Sequence, residues 1–189
     1  MELNKITKSY DGRMVLDRFS LAVENGRTVC LFGESGCGKT TILNIISGLT
    51  EIDSGEVKGT KGKRISYLFQ EDRLLESATA EENIMLSTKN MELSKKIIEV
   101  CDISDYLNLY PSQMSGGMKR RVAIARAVAF DGEIVLLDEP FNGIDTKRVE
   151  KAADFLREFL MSKICIVVSH SLNDAELLSA QVFNLNKNI

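Results

Sequence analysis

The sequence of 189 residues has no tryptophan, one histidine, two prolines and four cysteines. The cysteines stand alone, without a Cys-x-x-Cys pair, and one histidine cannot supply the remaining ligands of a zinc site. Zinc fingers and disulfide-stapled secreted domains are therefore excluded, and isolated thiols are typical of a reducing cytosol. The four cysteines are Cys30, Cys37, Cys101 and Cys165.

Long hydrophobic runs and a strong excess of one charge are also absent. The longest aliphatic stretches, Ile134–Leu137 and Ile164–Val168 (which includes Cys165), are far shorter than the about 20 residues that a membrane helix needs. The N-terminus, MELNKITKSYDGR, lacks the apolar segment of a signal peptide. Lys and Arg number 24 against 27 Asp and Glu, which argues against a nucleic-acid partner. We expect one soluble cytoplasmic domain.

Strand-like and helix-like segments alternate along much of the chain, which predicts an α/β fold with a mainly parallel sheet. Alternating apolar residues predict a half-buried strand over Leu16–Val23. Short apolar runs predict buried strands at Thr28–Phe32, Glu133–Leu137 and Ile164–Val168. Apolar stripes predict three helices: one with Ile42, Ile45, Ile46 and Leu49 on its buried face, one from Ser115 to about Phe130, and one from Val149 to Leu160.

The middle of the chain has a different pattern. Glu56–Phe69 carries Gly59 and Gly62 between two strand-like stretches, which predicts an antiparallel hairpin. Beyond it, Thr79 and Glu82 have the spacing of a capping box at the start of a helix. Further helical segments are predicted at Leu93–Cys101 and Ser104–Leu109. We therefore expect residues 71–115, approximately, to form a helical insertion into the core.

A glycine-rich loop follows the strand at Thr28–Phe32. Its sequence, GESGCGKT, has the pattern GxxxxGK[ST] between a strand and a helix, the context that a phosphate-binding loop requires. Glycines allow successive N–H groups to wrap a phosphate, and the helix N-terminus adds a positive dipole end. Lys39 is expected to reach the β- and γ-phosphates, and Thr40 to offer its hydroxyl to Mg²⁺. The predicted nucleotide-binding residues here are Gly33, Glu34, Ser35, Gly36, Cys37, Gly38, Lys39, Thr40 and Thr41.

A second half of a nucleotide site follows the strand EIVLL, which ends in Asp138-Glu139. Asp138 is expected to hold Mg²⁺, directly or through water. Glu139 is expected to orient and polarise the attacking water as a general base. These residues predict a P-loop NTPase without separating an ATPase from a GTPase, a kinase or a motor.

The segment MSGGM, over Met114–Met118, separates these classes. Together with the following KRRVAIARA, it resembles the LSGGQ signature of ATP-binding cassette (ABC) ATPases, with methionines in place of Leu and Gln. Like the phosphate loop, it places free N–H groups at the start of a helix. In that family the segment contacts the ATP bound by the other subunit of a head-to-tail dimer. The resemblance gives this role to Ser115, Gly116, Gly117 and Met118.

The remaining marks of the family occur in order along the chain. Tyr10 matches the aromatic residue that stacks on adenine, and Gln70 matches the Q-loop glutamine that reaches Mg²⁺ and the attacking water. Asn142–Asp145 matches the D-loop, with Asn where Ser or Gly is usual. His170 matches the switch histidine at the γ-phosphate. The resemblance thus implies the catalytic residues Lys39, Gln70, Glu139 and His170, and the metal ligands Thr40, Gln70 and Asp138.

The resemblance covers essentially the whole chain and implies a single ABC ATPase domain over residues 1–189. Its parts are a P-loop core with an N-terminal antiparallel β subdomain (1–70 and 116–189) and a short inserted helical subdomain (about 71–115). The implied activity is hydrolysis of ATP with Mg²⁺, in a homodimer or in a pair with a homologous ATPase subunit. The implied partners are transmembrane permease subunits at the inner face of the cell membrane.

Two short segments resemble importer ATPases of the nitrate, sulfonate and taurine type. They are QEDRLL, after the RISYLF strand, and SGGM with the basic residues that follow it. Such importers also use a solute-binding protein.

The segment Glu71–Glu76 and the helix from Thr79 to Leu86 are expected to line a groove for a short helix of the membrane subunit. The alternative is that Leu74 and Leu75 only pack the insertion against the core. With 19 residues after His170, no C-terminal regulatory domain is expected.

Three other functions are weighed against this reading. An ABC ATPase that regulates a membrane or cell-envelope complex without transport would carry the same motifs. A nucleic-acid ATPase of the chromosome-maintenance or translation-factor kind would carry long coiled coils or duplicated cassettes, and the sequence has neither. A GTPase would need a guanine-reading NKxD sequence, and Asn186-Lys187-Asn188 lacks the aspartate.

Overall fold

The computed structural model describes residues 1–185, so the tripeptide at 186–188 lies outside the described residues. In chain order the elements are β1 (Glu2–Tyr10), β2 (Arg13–Ala22), β3 (Thr28–Phe32), α1 (Lys39–Ile46), β4 (Ser54–Lys58), β5 (Ile65–Leu68), α2 (Ala80–Met85), α3 (Met91–Val100), α4 (Gly116–Ala129), β6 (Ile134–Asp138), α5 (Thr146–Leu160), β7 (Ile164–Val168), α6 (Leu172–Leu177) and β8 (Gln181–Asn184). Two 3-10 turns, Ser104–Tyr106 and Pro111–Gln113, join α3 to α4. No helix of residues 1–185 is long and apolar enough to cross a membrane.

The strands form two sheets. Five parallel strands make the core sheet, in the order β5-β6-β7-β3-β8. Three antiparallel strands, in the order β2-β1-β4, make a smaller sheet. The α/β fold with a mainly parallel sheet and an antiparallel β subdomain is therefore confirmed.

The core sheet is buried on both faces, which explains why its central strands are continuously apolar. On one face, Ile134 and Leu136 of β6 pack with α1 and the antiparallel sheet. On the other face, Val135 and Leu137 pack with α2, α3, α4 and α5. Alternate side chains of one strand thus serve two separate cores, as the period of a strand requires.

Helices α2 and α3 pack on α4. With the two 3-10 turns they form the helical segment between β5 and α4. The capping box at the start of α2 is present: the Glu82 N–H donates to the Thr79 hydroxyl, and the Thr79 N–H donates to the Glu82 carboxylate at 2.8 Å. The third helical segment, expected at Ser104–Leu109, is a single 3-10 turn.

The hairpin expected over Glu56–Phe69 is wrong. β4 pairs antiparallel with β1 in the small sheet, whereas β5 pairs parallel with β6 in the core sheet. The glycines between the two strands therefore mark a connection between sheets. The sequence patterns do not predict β1, α6 or β8, because the apolar residues of these elements do not repeat with a clear period.

The prediction that Leu49 lies on the buried stripe of α1 is also wrong. The helix ends at Ile46, where Gly48 takes a left-handed conformation (φ 77°) and the Leu49 N–H donates to the Asn44 carbonyl. This closure is a common way to end a helix, and glycine is the residue that adopts it at least cost. Leu49 consequently lies past the helix and is 61% exposed.

Replacing Thr79 by Ala tests the capping box. The change removes the hydroxyl that accepts from Glu82, so the free energy of unfolding is expected to fall by about 1 kcal/mol. The Thr79→Ser variant keeps a hydroxyl and serves as the matched control. Urea denaturation followed by circular dichroism measures both, and equal midpoints for the Ala and Ser variants would contradict the role of the cap.

Candidate functional site

The loop between β3 and α1 is shaped by two glycines in the left-handed region. Gly36 has φ 82° and Gly38, immediately before α1, has φ 92°. A side chain at Gly38 would also meet Leu16 and Val15 of β2 at 3.0–3.1 Å. The loop therefore needs glycine for both torsion and space, and it closes against the antiparallel sheet.

Lys39 holds its ammonium group inside this loop. The side chain is buried, and Nζ donates to the Gly33 and Glu34 carbonyl oxygens, each at 2.7 Å. Cys37 is a further neighbour, with Sγ 3.9 Å from the same Nζ. An ammonium held by carbonyl oxygens can exchange one of them for a phosphate oxygen, so its position fits the expected contact with phosphates.

Thr40 and Asp138 meet at the mouth of the loop. The Thr40 hydroxyl donates to Asp138 Oδ2 at 2.9 Å, although the residues lie on α1 and at the end of β6. Burial raises the pKa of the Asp138 carboxyl, while the Thr40 bond and the nearby Arg120 lower it. A hydroxyl and a carboxylate are the oxygen donors that Mg²⁺ takes when phosphates complete its shell. Within residues 1–185 no cluster of three or more His, Cys, Asp or Glu forms an all-protein cage.

Glu139 follows in an unusual conformation. Its φ of 52° lies in the left-handed region, and its N–H donates to the Val168 carbonyl at 2.8 Å. The His170 Nε2 lies 3.0 Å from Glu139 Oε1. Burial raises the pKa of the Glu139 carboxyl, and His170 lowers it. Strained backbone held by its surroundings is a feature of functional sites.

These residues line one cleft of about 340 Å³. The size is within the range of small-molecule sites. The expected site residues that line it are Tyr10, Ser35, Gly36, Gly38, Lys39, Thr40, Thr41, Gln70, Asp138, Glu139 and His170. The structure thus brings together, at the carboxyl ends of β3, β5, β6 and β7, residues that are distant in sequence. Gly33, Glu34 and Cys37 belong to the same loop without lining the cleft.

The segment Ser115–Met118 lies outside this cleft. Ser115 caps α4, and its hydroxyl accepts from the Met118 N–H at 3.3 Å. Ser115 and Gly116 are exposed, whereas a side chain on Gly117 would come within 2.8 Å of the Gly143 carbonyl. The start of α4 therefore touches the loop after β6 while it presents its first N–H groups to solvent.

Sequence reasoning missed Arg120. Its buried guanidinium donates to the Asp138 and Glu139 carbonyls at 2.5 and 2.6 Å, and to the Phe69 carbonyl at 2.6 Å. A possible signal was an arginine within a helix whose neighbours, VAIARA, are mostly small and apolar. The signal is weak, because arginine is common on solvent-facing helix surfaces.

Comparisons with known proteins identify the family of this chain. A family model described as ABC transporter matches residues 16–142. The aliphatic sulfonates import ATP-binding protein of Pseudomonas syringae is 35% identical, with 96% of this chain and 80% of the relative covered. The spermidine/putrescine import ATP-binding protein of Pasteurella multocida is 31% identical, with 99% of this chain and 56% of the relative covered. The probable sulfate/thiosulfate import ATP-binding protein of Chlorella vulgaris is also 31% identical, with 95% and 84% covered.

Solved structures give the same result. A dimeric ATP-binding cassette in a post-hydrolysis state, bound to ADP and Pi, superposes with a TM-score of 0.85 and 27% identity. The match covers 97% of this chain and 93% of that one. The family expected from the sequence motifs is therefore confirmed: the chain belongs to the ABC transporter family and is one of its ATP-binding, ATP-hydrolysing cassettes.

Proposed function

We propose that this chain is the ATPase subunit of an importer of a small solute, located at the inner face of the cell membrane. The observation that carries the proposal is the single cleft that joins the phosphate loop, Asp138, Glu139, Gln70 and His170. The import activity is supported by relatives that are named import ATP-binding proteins. Residues 1–70 and 116–189 would form the core and β subdomain, and about 71–115 the helical subdomain.

Nucleotide binding follows from the loop and its neighbours. The loop N–H groups and the Lys39 ammonium neutralise the phosphates, and Tyr10, at the rim of the cleft, stacks on adenine. Thr40, Asp138 and Gln70 are the residues that would hold Mg²⁺. The ion would supply charge neutralisation on the β- and γ-phosphates.

Hydrolysis follows from the Glu139–His170 pair. The Glu139 carboxylate accepts a proton from the water that attacks the γ-phosphate, and a raised pKa makes it a stronger base than an exposed glutamate. The His170 ring, with Nε2 3.0 Å from Oε1, limits the direction that this carboxylate can take. Gln70, which follows β5, orients the same water, and His170 lies at the γ-phosphate. The products are ADP and phosphate.

A second copy of the chain, or a homologous ATPase subunit, completes each site. The exposed Ser115 and Gly116 present the N-terminus of a 14-residue helix, α4, which favours an anion. In one chain this segment lies outside its own cleft, so it is available to the γ-phosphate held by the partner subunit. The dimeric state of the solved ATP-binding cassettes supports this arrangement.

The membrane partner has a candidate docking groove of about 340 Å³. Its apolar lining is formed by Leu49, Tyr67, Phe69, Ala127 and Phe130. The groove lies between the core and the helical segment, and Leu49, exposed in the isolated chain, would be covered by a short helix of the permease. It differs from the groove expected at Glu71–Glu76: Leu75 is exposed elsewhere, and Leu74 packs against the core.

Replacing Glu139 by Gln tests the base. Turnover is expected to fall by about 10²–10⁴-fold, because the water loses its proton acceptor, while ATP affinity is retained. Steady-state phosphate release and equilibrium titration with ATP measure the two quantities. Glu176→Gln, the same change at an exposed position on α6, is the control, and equal turnover in the two variants would remove Glu139 from the mechanism.

Replacing Ser115 by Arg tests the shared site. The bulky cation would occupy the place of the partner's γ-phosphate, so ATP-dependent dimerisation and hydrolysis should both be lost, while the monomer still binds ATP. Light scattering with ATP and a binding titration report these results. Ser112→Arg, on the exposed turn before α4, is the control. Cooperative hydrolysis by the Ser115→Arg protein would contradict the head-to-tail arrangement.

Replacing Leu49 by Ser tests the groove. The exposed leucine contributes little to folding, so hydrolysis by the isolated subunit should remain, while association with the membrane subunits should weaken by about 1–3 kcal/mol. Co-purification of the tagged chain with its membrane subunits in detergent measures association. Met161→Ser, an exposed position at the end of α5, is the matched control. Equal co-purification of both variants would place the membrane subunits on another surface.

A further inference from the structure

Arg120 joins two segments of the cleft through the two branches of its guanidinium. Nη1 donates to the Phe69 carbonyl at 2.6 Å and to the Gln70 carbonyl at 3.2 Å. Nη2 donates to the Asp138 and Glu139 carbonyls at 2.5 and 2.6 Å. The same side chain also meets the Asp72 carboxylate (Nη1 to Oδ1, 3.1 Å) and the Pro140 carbonyl (Nε, 3.2 Å).

Arg120 is only 3% exposed, so the charge of its guanidinium needs these partners. Burial lowers its pKa and the Asp72 carboxylate raises it, and arginine stays a cation in proteins. Five of its acceptors are backbone carbonyls, which lie where the chain leaves β5 and β6. Arg120 therefore acts on the position of the main chain that carries Gln70 and Glu139, without touching their side chains.

The main chain at Glu139 requires such support. Its left-handed conformation is unfavourable for a residue with a side chain, and it persists only when neighbours hold it. Three hydrogen bonds within residues 1–185 do so: the Glu139 N–H donates to the Val168 carbonyl, and the Glu139 carbonyl accepts from the Asn142 N–H at 3.2 Å and from Arg120 at 2.6 Å. If the Arg120 bond is lost, the carboxylate can move away from the reacting water.

We propose that Arg120 is a positioning residue for ATP hydrolysis. It holds the main chain at Gln70 and Glu139 so that the two side chains keep their positions relative to each other. This inference rests on the proposed role of Glu139 as the base. Because Arg120 lies on α4, five residues after Ser115, the helix that contacts the partner's nucleotide also aligns the chain's own base. A change at one ATP thereby reaches the residues at the other.

The chain offers a matched control on the same helix. Arg121 is also buried, but its Nη1 donates at 2.8 Å to the carbonyls of Cys101 and Asp102 in the helical segment. Its Nε donates to the Gly117 carbonyl one turn earlier on α4, at 3.4 Å, and none of these three acceptors lines the cleft. Substitution by lysine keeps the charge at either position and removes the planar fork. A lysine ammonium cannot serve two chain segments on opposite sides at once.

The experiment compares Arg120→Lys with Arg121→Lys. For Arg120→Lys, kcat for ATP should fall about 10- to 100-fold, the effect of a misplaced reacting group, while KM and the dissociation constant for ATP stay unchanged. For Arg121→Lys, kcat should stay at the parental value. Melting temperatures of both proteins show the folded fraction, to which the rates are normalised. Parental kcat in Arg120→Lys, or equal losses in the two variants, would overturn the proposal.

A double variant tests whether Arg120 acts through Glu139. In single-turnover hydrolysis, Arg120→Lys should cause a smaller loss in the Glu139→Gln background than in the parental protein, since one of the two groups that it positions is already gone. The same fold-loss in both backgrounds would overturn the proposal. If Glu139→Gln alone hydrolyses ATP at the parental rate, the assignment of the base fails, and that failure is separate from any result at Arg120.

Asp72→Asn tests the proposal with Arg120 intact, should Arg120→Lys not fold. Within residues 1–185, Asp72 supplies the one carboxylate that pairs with the guanidinium, and the change removes it. Asp72 is partly exposed, so a smaller decrease in kcat with unchanged ATP affinity is expected. Glu71→Gln, at the neighbouring exposed carboxylate, is the control. If Asp72→Asn and Glu71→Gln have the same kcat, the ion pair does not position the site and the proposal is overturned.

Discussion

The site depends on the parallel pairing of β3, β6 and β7. Because these strands run in the same direction, the residues that follow them emerge at one edge of the sheet. The phosphate loop follows β3, Glu139 follows β6, and His170 follows β7. The register places Asp138 opposite Val168, which sets the Glu139 N–H against the Val168 carbonyl. Without this pairing, the phosphate loop, Glu139 and His170 would not be neighbours.

Three charged side chains are buried around this edge: Lys39, Arg120 and Asp138. A buried charge without partners would be strongly destabilising. Lys39 and Arg120 donate to backbone carbonyls, and Asp138 accepts from the Thr40 hydroxyl. Burial nevertheless raises the pKa values of the Asp138 and Glu139 carboxyls. Burial of these two carboxylates therefore lowers the stability of the folded chain, although a nucleotide site requires them, a common relation between stability and function.

The cleft could be predicted from the sequence because its parts are local. A phosphate loop needs contiguous residues, and the carboxyl ends of apolar strands are visible as the ends of apolar runs. The hairpin at Glu56–Phe69 could not be judged in this way, since two strand-like runs and a glycine do not tell which strands pair. β1 was missed for a related reason: irregular register with β2, and a left-handed Lys5, interrupt its alternation.

The contacts of Arg120 and the exposure of Leu49 depend on tertiary structure. An arginine in a helix is ordinarily a surface residue, and only the packing of α4 under β5 and β6 turns it inward. Leu49 continues the apolar stripe of α1, but the left-handed Gly48 ends the helix before it. The family resemblance carried the roles of Gln70 and His170, which their local sequences alone do not indicate.

The close approach of Gly117 to the Gly143 carbonyl has a consequence for the two nucleotide sites of a dimer. A Cβ atom on Gly117 would lie 2.8 Å from the Gly143 carbonyl oxygen, so at this point the start of α4 packs directly against the backbone of the loop after β6. In the proposed dimer, one of them faces the partner's ATP and the other leads from the chain's own base. Occupancy of one site then changes the free energy of occupying the other, and binding of the two ATP molecules is thermodynamically linked.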